Sequence, residues 1–228
     1  MPQRTLAEAA APTGEARFSF HIDAMMELAP GLLYLPGFFD RAEQAILVDD
    51  VRRAAAHAPL FTPRMPRTGK PFSVRMTNCG RLGWVSDAQG GYRYQASHPE
   101  TGAPWPAIPA LAMRAWDEGG YAAPPEACLV NFYDATARMG LHQDRDEAAM
   151  DAPVVSISLG DSCVFRYGGQ ARGAPTRSTK LHSGDVVIIG GESRLCFHGV
   201  DRLLPGSSTL LPAGGRINLT LRRVTPPG

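Results

Sequence analysis

The sequence predicts a mainly β fold with flanking helices: a barrel or jelly roll preceded by helical and irregular chain. Three observations predict it. From Ala127 onward the chain breaks into short runs rich in β-branched and aromatic residues: "ACLVNFY", "PVVSISLG", "CVFRYGG", "TKLHS", "DVVIIGG", "RLCFHGV" and "RINLTLRRV". Glycines, prolines and polar residues separate them at the spacing of a sandwich or barrel. Helical periodicity is confined to the first half, and no GxGxxG or GxxxxGK[ST] loop lies among the β runs.

Taken in order, residues 1–15 are rich in Ala, Pro and polar residues and are expected to form a loose tail. "FFDRAEQAILVDDVRRAAAHAP" reads as a helix. Asp40 can cap it, and Ile46, Leu47, Val51, Ala54 and Ala55 form one apolar stripe. Pro63, Pro66 and Pro71 then break regular structure. "FSVRMTNCG" and "GYRYQA" read as strands around a loop carrying Leu82, Gly83 and Trp84. "PETGAPWPAIP" is a connector, and "ALAMRAWDEGG" a second short helix ended by its glycines. No internal repeat is evident.

The totals exclude several classes. The 228 residues suffice for one substantial core, and 44% hydrophobic with 20% charged residues is ordinary for a globular protein. A formal charge of +1 names no partner. Two acid-free stretches are nonetheless basic: Arg64, Arg67, Lys70, Arg75 and Arg81 between Phe61 and Trp84, and Arg166, Arg172, Arg177 and Lys180 between Ser162 and Gly184. They could border a groove for phosphates, although charge alone favours two solvated loops. Cys79, Cys128, Cys163 and Cys196 are far apart among apolar neighbours, which argues against a zinc finger and for buried thiols in a reducing compartment. No signal peptide and no apolar run of the ~20 residues needed to cross a bilayer is read. A cytoplasmic location without membrane contact is expected, with no obligate protein partner and a monomeric state.

The chemistry gathers in "LVNFYDATARMGLHQDRDEAAM". His142, Asp144 and Asp146 alternate directly after a glycine-containing run, as on one face of a strand. An H-x-D pair alone is weak, since His142 could be a core histidine and Asp144 a turn residue. His198, on a later β run, completes two imidazoles and one carboxylate. That set holds non-haem Fe(II) on one face and leaves other positions open; zinc would accept the same ligands. His182 and Asp185 are three apart around an S-G-D turn, so Asp185 reads as structural. His21, His57 and His98 have no acid or thiol at ligand spacing. On the last β run Arg216, Asn218, Thr220 and Arg222 alternate onto one face. Two inward arginines are costly without anions, and a dicarboxylate such as 2-oxoglutarate would satisfy both. The alternative is an edge strand with exposed arginines.

In combination, "NFY…LHQDRDE…APVVSISLG…GDVVIIGGESRLCFHGV…RINLTLRR", with "MTNCGRLGW" and "PWPAIP" upstream, resembles the AlkB family of Fe(II)/2-oxoglutarate-dependent dioxygenases, bacterial alkylation-repair type. The resemblance runs from about Leu32 to Arg223. It implies a double-stranded β-helix, or jelly roll, with an N-terminal α/β nucleotide-recognition lid. The corresponding division is a tail at 1–15, a helix and lid at 16–106, and a catalytic core at 107–228, forming one compact unit.

The resemblance also implies roles. His142, Asp144 and His198 would be the iron ligands and catalytic centre. Arg222 would meet the distal carboxylate of 2-oxoglutarate and Arg216 its iron-bound end. Asn131, Tyr133 and Asn218 would hydrogen-bond the same molecule, with Phe132 between them in the co-substrate segment. Trp84 would stack on the damaged base opposite His142, and Asp146 would contact its exocyclic amino group. Tyr92, Tyr94 and Arg172 would hold the polymer backbone. The chain departs from the family pattern in the extra glycine of "QGGYRY" and in Ile217 and Phe132. The implied activity consumes O2 and 2-oxoglutarate on Fe(II) to demethylate 1-methyladenine and 3-methylcytosine, releasing formaldehyde, succinate and CO2. The implied partner is alkylated DNA, with RNA as the alternative polymer. Two rivals share these residues: a dioxygenase acting on a protein or small molecule, and a lesion-binding protein without catalysis.

Overall fold

A computed structural model describes residues 25–228; the expected tail at 1–15 and His21 lie outside the described residues. In chain order the elements are β1 (Met26–Ala29), β2 (Leu32–Leu35), α1 (Arg41–His57), β3 (Arg75–Gly80), β4 (Gly83–Asp87), β5 (Gly91–Gln95) and α2 (Met113–Asp117). Then follow β6 (Ala127–Tyr133), β7 (Met139–His142), β8 (Val154–Gly160), β9 (Ser162–Gly168), β10 (Thr176–Leu181), β11 (Val186–Ile189), β12 (His198–Leu204) and β13 (Arg216–Arg222).

The strands form a seven-stranded sheet, β1-β2-β11-β8-β13-β6-β3, a four-stranded sheet, β10-β9-β12-β7, and the hairpin β4-β5. Every pairing is antiparallel. Two facing antiparallel sheets with crossovers are a jelly roll. The larger sheet takes β1, β2 and β3 from chain before residue 107, so the first part of the molecule and the core share one sheet.

Period-two alternation splits each central strand between two apolar layers. Ile217, Leu219 and Leu221 of β13 join Val155, Ile157 and Leu159 of β8 on the outer face, where Leu47, Val48, Val51 and Ala54 of α1 cover them. The inner face meets the smaller sheet through Val154, Val187 and Ile189 against Cys163, Phe165 and Val200. Asp40 caps α1 reciprocally with Glu43: its carboxylate accepts from Glu43 N at 2.8 Å, and Asp40 N donates to the Glu43 carboxylate at 3.0 Å.

Four sequence expectations need correction. Ile46 is 52% exposed, and Val48 takes its place in the buried stripe of α1; Leu47, Val48, Val51 and Ala54 are spaced i, i+1, i+4 and i+7, which is one helical face. Trp84 lies within β4 rather than in a loop, paired with Tyr94 of β5. The alternation after Gly140 does not continue as a strand: β7 ends at His142, and Asp144 and Asp146 are on irregular chain. "RLCF" is likewise not strand, since β12 starts at His198 after a 3-10 turn at Gly191–Ser193.

All four cysteines are free and buried. Asp185 is structural: its carboxylate accepts from Tyr34 Oη, Gly37 N and His182 N at 2.6–2.8 Å, tying three segments together. No helix among the described residues is long and apolar enough to cross a membrane.

Candidate active site

The site forms where β7 and β12 pair. Their register sets His142 directly opposite His198, and the imidazole centroids are 4.6 Å apart. Gly199 allows this. A Cβ there would come within 2.5 Å of the Met139 carbonyl oxygen and 2.8 Å of that of Gly140, so any side chain would push β7 away. Two residues past the end of β7, Asp144 turns back between the two rings. His142 Nε2 is 3.6 Å and His198 Nε2 3.5 Å from its carboxylate oxygens. One ligand atom from each of the three residues lies within 4.8 Å of the others, the single such group of His, Cys, Asp or Glu among the described residues. The outer nitrogens are fixed as well: His142 Nδ1 meets the Gly140 carbonyl at 2.9 Å and His198 Nδ1 that of Cys196 at 3.1 Å. Backbone carbonyls in that position orient an imidazole so that Nε2 faces a metal.

Electrostatics suit a cation. Burial by itself would raise the Asp144 carboxyl, but Arg222 and the two imidazoles outweigh it and hold it well below the usual carboxylate range. Desolvation and the neighbouring His198 push His142 down, favouring the neutral ring that binds metals. Burial opposes a charge on His198 too, yet Asp144 raises it to about 10.

The triad opens onto a cavity of about 750 Å³ between the sheets. One wall is the inner face of β13, where Arg216, Asn218, Thr220 and Arg222 alternate as the sequence predicts. The two arginines stand about 20 Å apart along the strand, and only one touches the triad. Arg222 Nη2 donates to Asp144 Oδ1 at 2.7 Å. Arg216 is 1% exposed, with one bond to Ser158 Oγ at 2.8 Å and its guanidinium over the Tyr133 ring at 5.4 Å. This differs from the order that the resemblance implies: Arg222, not Arg216, is bonded to a residue of the metal cluster.

Of the other co-substrate residues, Asn131 and Tyr133 line the cavity, and burial pushes the Tyr133 hydroxyl up to about 12, leaving it protonated. Asn218 also lines the cavity, but its amide is engaged with Ser156 Oγ, the Ile157 carbonyl and Thr220 Oγ1. Phe132 does not face it. Between Asn131 and Tyr133, alternation turns its ring to the outer layer, under the Arg75 guanidinium at 5.0 Å.

At the opposite rim, Trp84 and Tyr92 stack with centroids 5.5 Å apart, and Trp84 Nε1 donates to Asp146 Oδ2 at 2.8 Å. Arg172 borders the same rim, over Phe197 at 5.1 Å. Of the basic residues in the two acid-free stretches, Arg172 alone lines the cavity; the first stretch contributes Pro63, Met65, Phe72, Val74, Met76 and Trp84 instead. Tyr94 is the exception among the expected rim residues. Its hydroxyl is turned inward to Glu147 at 2.5 Å and accepts from Arg222 Nη1 at 3.1 Å, so it is not at the surface where a polymer backbone would run. Sequence reasoning missed Arg145, Met139 and Phe72, which also line the cavity, and the ion pairs of Glu147 and Arg194 behind it. Met139, Arg145 and Glu147 all lay within the stretch already singled out at 129–150, but no ligand spacing or strand alternation marked them.

Two imidazoles and one carboxylate converge with one side open to the cavity. Three buried guanidinium nitrogens, Arg216 Nε and Nη1 and Arg222 Nε, lack any hydrogen-bond partner among the described residues. Buried donors without acceptors are costly, and a bound anion removes that cost. The residues fit both iron and a dicarboxylate.

Comparison with known proteins agrees. Residues 31–222 match the family model described as "2OG-Fe(II) oxygenase superfamily". The chain is 55% identical over 199 residues to the "Alpha-ketoglutarate-dependent dioxygenase AlkB homolog" of Caulobacter vibrioides (strain NA1000 / CB15N), covering 87% of this chain and 90% of that one. It is 43% identical over 202 residues to the "Alpha-ketoglutarate-dependent dioxygenase AlkB" of Escherichia coli (strain K12), covering 86% and 91%. Among solved structures, that titled "The structure of OsALKBH1" superposes with a TM-score of 0.72 at 32% identity, covering 87% of this chain and all of the other. The chain therefore belongs to the AlkB family, bacterial type, and is a dioxygenase that depends on Fe(II), 2-oxoglutarate and O2.

Proposed function

We propose that this enzyme removes N-methyl groups oxidatively from 1-methyladenine and 3-methylcytosine in DNA, with RNA as a second polymer. One observation carries the reading. A single cavity is lined by the His142–Asp144–His198 cluster, by Arg216 with two guanidinium nitrogens that lack a partner, and by the stacked Trp84 and Tyr92. Relatives whose names include "DNA N(6)-methyladenine demethylase" and "tRNA demethylase" support a nucleic-acid substrate.

In this reading His142, Asp144 and His198 hold the iron. Bound Fe(II) supplies oxygen activation, coupling decarboxylation of 2-oxoglutarate to hydroxylation of the methyl group, with succinate, CO2 and formaldehyde as products. Arg216 takes the distal carboxylate through its two free nitrogens, with the protonated Tyr133 hydroxyl beside it. Arg222 keeps the Asp144 carboxylate in place. The hairpin β4–β5 serves as the recognition lid. A methyl group on the pairing edge weakens pairing, so extrusion costs less than the few kcal/mol of a normal base. Stacking on Trp84 offsets about 1–3 kcal/mol of that, and Asp146 favours the cationic ring of the lesion. Arg172 and Tyr92 meet the polymer at the rim. The protein is proposed to work as a cytoplasmic monomer.

The test is anaerobic loading with Fe(II) and 2-oxoglutarate, then aerobic turnover of an oligonucleotide containing 3-methylcytosine. Formaldehyde and succinate are expected in equal amounts, and His142→Ala should fold normally yet release neither. Succinate without formaldehyde on every alkylated oligonucleotide would reject the substrate; full turnover by His142→Ala would reject the ligand assignment.

A further inference from the structure

Three residues beyond Asp144, Glu147 occupies a position that no strand pattern marks. Its side chain is fully buried, at 0% exposure. A carboxylate there needs cationic partners to remain charged, and it has two. Glu147 Oε1 accepts from Arg222 Nη1 at 2.9 Å and from the Tyr94 hydroxyl, while Oε2 accepts from Arg194 Nη2 at 3.1 Å. Both guanidiniums continue to Asp144. Arg222 Nη2 holds its side chain at Oδ1, 2.7 Å away. Arg194 Nη1 holds its main-chain carbonyl at 2.5 Å, and Arg194 Nε holds that of Ala152 at 2.7 Å. Asp144 is thus gripped twice, by side chain and by backbone, and both grips hang from one carboxylate. Asp144, Arg222, Glu147 and Arg194 alternate in sign along the chain of contacts, so two negative and two positive charges balance in the interior.

We propose that Glu147 is a positioning residue for the metal centre, joining Arg222 and Arg194 so that Asp144 presents its carboxylate in one orientation. The inference rests on the ligand assignment given above. Filling space would require only volume at this position, whereas each oxygen of Glu147 is directed at a guanidinium that reaches Asp144. With the charge of Glu147 removed, Asp144 becomes the remaining acid partner of Arg222 among the described residues. The unshared guanidinium then competes with a divalent ion for the same carboxylate. Partners one step behind a metal ligand typically change affinity or activity by about 10–100-fold.

The test uses the full chain and Mn(II), whose paramagnetic resonance signal reports the free ion, alongside kcat and KM of the Fe(II)-loaded enzyme. Failure of the unaltered protein to bind one Mn(II) would reject the ligand assignment itself. Given that binding, Glu147→Gln, equal in volume but uncharged, is expected to weaken Mn(II) affinity about tenfold or more and to lower kcat, with little change in oligonucleotide KM. Glu147→Asp keeps the charge but shortens the reach, and should fall between the two. A folded Glu147→Gln with Mn(II) affinity within about twofold of the unaltered protein overturns the proposal. Should that variant not fold, a Glu147→Asp protein that loses thermal stability but not Mn(II) affinity overturns it equally.

Discussion

At the scale of single residues, the two arginines of β13 show how identical side chains acquire different work. Arg222 is already balanced by Asp144 and Glu147, whereas Arg216 has two nitrogens without acceptors. Arg216 is therefore the group with most to gain from an incoming carboxylate. Arg216→Lys, which loses the forked geometry, should raise the 2-oxoglutarate KM roughly thirtyfold, equivalent to about 2 kcal/mol of charge-assisted hydrogen bonding. Calorimetric titration of the metal-loaded protein with 2-oxoglutarate checks this; an unchanged affinity would place the co-substrate elsewhere. Trp84→Ala should weaken binding of a methylated oligonucleotide by about 1–3 kcal/mol while leaving 2-oxoglutarate affinity intact. Fluorescence anisotropy separates those two effects. Phe132, turned to the outer layer, should affect neither ligand when replaced by Leu.

At the scale of elements, the decisive contact is the pairing of β7 with β12. It brings together histidines 56 positions apart, and it depends on Gly199 having no side chain. Gly199→Ala is expected to separate the strands locally and lower metal affinity more than thermal stability. The diagnostic result is a weakened Mn(II) titration with a melting temperature within a few degrees of the unaltered protein; equal Mn(II) affinity would show that β7 tolerates the extra carbon. The hairpin β4–β5 is a second such case. Trp105 lies against Gly83 and its indole nitrogen donates to the Gln95 carbonyl at 2.9 Å, so the proline-rich connector braces the hairpin that carries Trp84 and Tyr92. The stretch that composition marks as a linker thus supports the rim of the site.

At the scale of the whole molecule, the site lies between two sheets, and the outer face of the larger one is closed by α1 and an apolar layer that includes Cys79 and Cys128. This protects the interior thiols. Burial pushes Cys79 up to about 12 and Cys128 well above its usual value, so both stay protonated and unreactive at neutral pH. A thiol reagent applied to the native protein at pH 7.5 should leave these two unmodified over the time in which denatured protein reacts fully. Rapid modification of either, mapped by peptide mass, would mean that the sheet opens at the β3–β6 pairing.

The sequence by itself determined the β-rich second half, the capped helix after Asp40 and the identity of the residues that converge. Local chemistry specifies these: period-two patterning, capping side chains, and metal-binding groups in spacings recognisable one by one. Resemblance of the joined motifs then indicated the family. Tertiary structure alone decided which arginine stands beside the metal cluster, that Phe132 faces away, that Tyr94 is turned inward and that Ile46 rather than Val48 is exposed. It alone revealed Glu147 and Arg194, whose partners lie 42 to 75 positions away in the chain. The reason is physical. Periodicity fixes which side of its own strand or helix a residue takes, but the charge network behind a site forms between segments that meet only when the sheets close.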